Sequence, residues 1–146
     1  MQLAKGTWVL VADGEKYLIY RNEGDEFQTD LGLVRVTELD NPPTREQGTD
    51  RPGRMPDPGP GGRSAMEPTD WHRIEKERGL ADLAERLDGW ARRGRFEALV
   101  VIADPRSLGV LRDELSPQVK ERVVAEINKD LTNQTVDRIE AALNDA

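Results

Sequence analysis

The stretch Phe96-Glu-Ala-Leu-Val-Val-Ile-Ala103 decides the fold. Apart from Glu97 it is apolar throughout, and Pro105 stops it two residues later. A short unbroken run that includes β-branched Val100, Val101 and Ile102 is the pattern of a strand covered on both faces, as in the centre of a parallel sheet. Immediately upstream, Trp71, Ile74, Ala81, Ala84, Leu87, Trp90 and Ala91 fall near one face at helical spacing. Arg73, Lys76, Glu77, Asp82, Glu85 and Arg86 occupy the other face. Thr69 or Asp70 can cap the start of this helix, and Gly94 stands where a C-terminal cap belongs. Downstream, Ser107 can cap a short helix through about Leu115, and Ser116-Pro117 opens another. The segment Arg122 to Thr132 fits a helix and a strand equally, and Thr135 begins a last helix with Val136, Ile139 and Leu143 on its buried stripe.

The N-terminal third reads differently. Thr7 to Ala12 (TWVLVA) is a second buried-type strand, Asp13-Gly14 a hairpin turn, and Lys16 to Tyr20 (KYLIY) the returning strand. A polar turn around Asn22-Glu23-Gly24-Asp25 leads to a third strand over Leu31 to Leu39. Three consecutive strands followed by α/β units predict a single α/β domain over 1–146 with a mixed sheet.

Between the two parts the composition changes. Asp40 to Pro68 holds seven of the nine prolines, no aromatic residue, and only Met55 and Met66 as large apolar side chains. Such a stretch cannot offset its ordering entropy by burial, and it is longer than an ordinary connection. It is expected to protrude as a mobile loop. Its cations are Arg45, Arg51, Arg54 and Arg63, nearly balanced by Asp40, Glu46, Asp50, Asp57 and Glu67. Gly61-Gly62-Arg63-Ser64-Ala65 lies near its end, where adjacent glycines let a backbone approach a partner closely.

The remaining composition mostly excludes. A net charge of −7 argues against a general nucleic-acid coat or an anionic-membrane binder, though not against a local basic element. Without cysteine there is no disulfide, thiolate nucleophile or cysteine zinc site. His72 is the single histidine, too few for a histidine metal centre, and no Gly-x-Ser-x-Gly surrounds Ser64, Ser107 or Ser116. Gly59-Pro60-Gly61-Gly62 lacks the following Gly-Lys-Ser/Thr of a phosphate loop. Trp8, Trp71 and Trp90 read as core residues before they read as base-stacking platforms. The chain offers no signal peptide and no membrane span, so a cytoplasmic protein without metal or cofactor is expected.

Gly61-Gly62-Arg63-Ser64-Ala65, then Trp71 to Arg93, then Phe96 to Ala103 resemble the middle domain of archaeal and eukaryotic class-1 translation release factors. There an exposed Gly-Gly-Gln-Ser-Ala loop precedes a long charged helix and an apolar strand. The chain is also similar, over nearly its whole length, to bacterial host attachment proteins. That likeness rests on Gly6 to Gly14, Asn41 to Arg54, Thr69-Asp70-Trp71-His72, Pro105 to Gly109 and Ile127 to Thr132. The release-factor resemblance implies a strand within Arg122 to Thr132, hence the order β-β-β-long loop-α-β-α-β-α. It also implies ribosomal RNA contact through the loop. Arg63 stands at the position of the glutamine that places the attacking water in release factors; arginine cannot copy that amide, which counts against peptidyl-tRNA hydrolysis and leaves phosphate contact in place.

The expected site is therefore Arg45, Arg51, Arg54, Gly61, Gly62, Arg63 and Ser64, binding RNA or the ribosome without catalysis. Two other readings stay open: a protein-interaction loop that folds on contact, and a hydrolase of peptidyl or nucleic-acid substrates. Host attachment, with no export signal, would be an indirect role.

Overall fold

The computed structural model describes residues 1–36, 39, 69–70 and 76–146. Strands β1 (Trp8–Ala12), β2 (Lys16–Asn22), β3 (Leu31–Leu33), β4 (Thr69–Asp70), β5 (Leu99–Ala103) and β6 (Val123–Asn128) form one mixed sheet. The path across it is β3-β2-β1-β5-β6, with β4 on β2. The hairpin β1–β2 and the pair β2–β3 are antiparallel, whereas β1–β5 and β5–β6 are parallel. Helices α1 (Lys76–Arg92), α2 (Pro105–Glu114), α3 (Pro117–Lys120) and α4 (Val136–Asp145) complete the described elements.

Both apolar runs are buried for the reason their composition implies: each supplies two cores. Trp8, Leu10 and Ala12 with Leu99, Val101 and Ala103 face Leu83, Leu87 and Trp90 of α1 and Leu108 and Leu111 of α2. Val9 and Val11 with Val100 and Ile102 face Ile139 and Leu143 of α4. Trp8 stacks on Phe96 with ring centroids 4.7 Å apart and meets Trp90 edge-on at 5.8 Å. The tryptophans Trp8 and Trp90 are thus core residues, each 1% exposed.

The helix ends follow local chemistry. Gly94 takes φ +73°, a left-handed conformation suited to glycine at a helix C-terminus. Ser116 and Thr135 cap α3 and α4 by accepting from the Val119 and Arg138 amides.

Four expectations need correction. Thr69 and Asp70 are not a helix cap; their backbones pair with Tyr17 and Lys16, because β3 covers only the Tyr20–Asn22 half of β2 and leaves the other half an open edge. The third strand stops at Leu33 rather than Leu39, and the backbone at Val36 and Leu39 is helical. The α1 stripe buries Ala84, Leu87, Trp90 and Ala91 as expected, but it also includes Leu80 and Leu83, and Ala81 is only half-buried. The cap of α2 is Asp104, whose carboxylate accepts from the Ser107 amide, so Ser107 is the capped residue and not the cap.

Tyr20, 8% exposed, has its phenol pushed above the ordinary range by burial. A raised folded value means that its contribution is complete below about pH 10 and is lost as pH rises through the higher folded value. Tyr20→Phe should therefore flatten the alkaline loss of stability seen in urea midpoints. An unchanged alkaline slope in the variant would refute this role.

Candidate functional site

The three parallel strands end on one edge of the sheet, and an aspartate follows each. Asp13 comes directly after β1, Asp104 directly after β5, and Asp130 two residues beyond β6. In open α/β sheets this carboxyl edge is where ligands gather. Here each carboxylate has at least one oxygen tied into local structure, while Asp104 Oδ1 is buried with no partner among the described residues. Asp13 Oδ1 accepts from the amides of Glu15 (2.7 Å) and Lys16 (2.8 Å), which fixes the hairpin turn. Its Oδ2 accepts from the Thr132 hydroxyl at 2.8 Å, and Asp130 Oδ1 lies 3.1 Å from the same hydroxyl. Thr132 is 4% exposed, so its one hydroxyl proton sits buried between two carboxylates and joins the β1 turn to the segment after β6. Lys16 reaches across to the side-chain oxygen of Asn133. Asp104 caps α2 through Oδ2.

This edge carries the flank of the long segment. Thr69–Asp70 pairs with Lys16–Tyr17, immediately beside the Asp13 turn. On the other flank Leu39 is buried at 7%, and its carbonyl accepts from Arg93 Nη1 at 3.5 Å. The Asp13–Thr132–Asp130 linkage thus fixes the turn against which β4 returns from the segment. The site residues expected from sequence, Arg45, Arg51, Arg54, Gly61, Gly62, Arg63 and Ser64, lie outside the described residues, as do Trp71 and His72. Among the described residues no group of three or more histidine, cysteine or acidic side chains is placed to hold a metal ion.

The Asp13–Thr132–Asp130 linkage was not anticipated. Part of a signal for it exists in the sequence, since the buried-type run TWVLVA is followed at once by Asp13. What that signal lacks is the partner, because Thr132 is 119 residues from Asp13.

Residues 6–143 match the family described as bacterial archaeo-eukaryotic release factor family 12. The chain belongs to this family. Its match spans the sheet, the long segment and the described helices up to residue 143, so the release-factor relation covers the fold and not the Gly-Gly motif alone. A relative from Rickettsia prowazekii (strain Madrid E), the uncharacterized protein RP470, is 28% identical over 139 residues, covering 92% of this chain and 90% of its own length. No helix among the described residues is long and apolar enough to cross a membrane.

Proposed function

We propose that this member of release factor family 12 is a non-enzymatic accessory protein that docks on the ribosome or its RNA through the segment 40–68. The observation that carries the reading is the family match across residues 6–143, which includes that segment. Arg45, Arg51, Arg54 and Arg63 contact phosphates, Gly61-Gly62 permits close approach, and Ser64 adds a hydroxyl beside Arg63. The sheet edge supports this role by holding the Thr69 flank in a hydrogen-bonded pair, which ties the end of the segment to the sheet. The likeness to host attachment proteins fits an indirect effect, with the protein acting in the cytoplasm on the synthesis of other components.

The test is co-sedimentation with bacterial ribosomes across a salt series, beside a variant with all four arginines changed to alanine. Four phosphate contacts on single-stranded RNA give a log–log salt slope of about −2.8, so a fourfold rise in salt weakens binding about fiftyfold. The four-alanine variant should lose that slope together with the affinity. Equal binding by the variant, or no sedimentation of the natural protein, would sink the reading; tight binding with little salt dependence would point to a protein contact.

A further inference from the structure

Among the described residues, the two most exposed large apolar side chains stand toward opposite edges of the sheet. Phe27 is 85% exposed at the tip of the turn between β2 and β3, and Val124 is 59% exposed on the edge strand β6. Neither belongs to the carboxyl edge described above.

The Phe27 turn is a built structure. Asn22, 0% exposed, holds it from inside: Oδ1 accepts from the Gly24 and Asp30 amides, each at 3.0 Å, while Nδ2 donates to the Leu3 carbonyl at 2.9 Å. Asp25 Oδ1 accepts from the amides of Phe27 (2.9 Å) and Gln28 (3.0 Å). Gly24 leaves no room for a side chain, since a Cβ there would lie 2.1 Å from the Gln28 carbonyl oxygen. The result is a fixed aromatic knob surrounded by Glu23, Asp25, Glu26 and Asp30, with no lysine or arginine from 22 to 30.

The β6 edge is complementary to it. A groove of about 570 Å³ lies between β6 and the ends of α2 and α3. Leu115, Val123, Val124 and Ala125 supply apolar walls; Arg112 and Glu126 neutralise each other in an ion pair at 2.7 Å, so Lys120 gives the groove its net positive charge. The ladder breaks here, because Val123 faces Leu99 and Ala125 faces Val100, which leaves Val124 without a partner. Such a bulge interrupts the edge's hydrogen-bonding row and discourages addition of another strand. What the edge can receive is a side chain.

We propose that the acidic Phe27 knob of one copy seats in the basic-rimmed β6 groove of a second copy. The aromatic ring meets the apolar wall, and Asp25 and Glu26 face Lys120. The knob lies on the turn into β3 and the groove on β6, the two outermost strands of the sheet path, so the contact is head-to-tail and leaves a free knob and a free groove at the ends of every short chain. One buried aromatic contributes about 150–250 Å² per molecule, well below a standard interface, so the association is weak and appears only at high concentration.

Analytical ultracentrifugation of the full chain from micromolar to millimolar concentration tests this. The natural protein should rise above its 16.4 kDa monomer mass with concentration. Phe27→Ala, which keeps its groove, and Val124→Glu, which keeps its knob, should each remain monomeric while retaining the natural circular dichroism spectrum. An equimolar mixture of the two should form dimers and nothing larger, because one competent contact remains per pair. A natural protein that stays monomeric at millimolar concentration, a Phe27→Ala variant that associates as the natural chain does, or a mixture that stays monomeric would overturn the proposal.

Discussion

Trp8→Ala is expected to lower the unfolding free energy by about 3–5 kcal/mol, a large share of the roughly 5–15 kcal/mol that a domain possesses. Trp8 is 1% exposed, stacks on Phe96 and meets Trp90 edge-on, so the truncation opens a cavity between the sheet and α1 that neither ring can fill without leaving its own packing. Among the described residues nothing accepts from its indole N–H. Trp8→Phe therefore removes volume but breaks no hydrogen bond to them, and its effect should be well under half of the alanine figure. Urea denaturation of both variants measures this, and an alanine variant within about 1 kcal/mol of the natural protein would show that the cluster is not the centre of the core.

Asn22→Ala is expected to remove about 3 kcal/mol, since it strands several buried groups at about 1–3 kcal/mol for a group left unpaired. The Gly24 and Asp30 amides lose their acceptor and the Leu3 carbonyl loses its donor, in a position that is 0% exposed. Asn22→Asp should also fail, because a carboxylate cannot donate to the Leu3 carbonyl and would bury an unpaired charge. The accompanying signature is faster hydrogen exchange at Gly24 and Asp30. Unchanged stability and unchanged protection at those amides would contradict the role given to Asn22.

The legible parts of this protein are the ones governed by local pattern. TWVLVA and FEALVVIA announced strands covered on both faces, and they lie side by side in parallel, Trp8 opposite Leu99 through Ala12 opposite Ala103. Ser116-Pro117, Thr135 and Gly94 marked helix ends because capping is chemistry within one turn of chain. The family relation was legible too, through Gly61-Gly62 followed by helix and strand. The illegible parts depended on what arrived from elsewhere. Thr69 and Asp70 have the residue types of a cap, yet an open half of β2 made them a strand. Asp104 displaced Ser107 as the cap of α2 because the strand delivers its carboxylate to the Ser107 amide at 3.2 Å.

By itself the sequence determined the mixed α/β architecture, the continuous apolar strands and the change of composition over residues 40–68. These follow from side-chain period, β-branching and proline content, which act over a few residues and need no partner. Only the tertiary structure decided that Thr132 lies between Asp13 and Asp130, that Asn22 binds the N-terminal segment to the β2–β3 turn, and that exposed Phe27 and Val124 stand on opposite sheet edges. Each of these joins residues distant in the chain, and such contacts are set by strand order and register, which local periodicity does not encode.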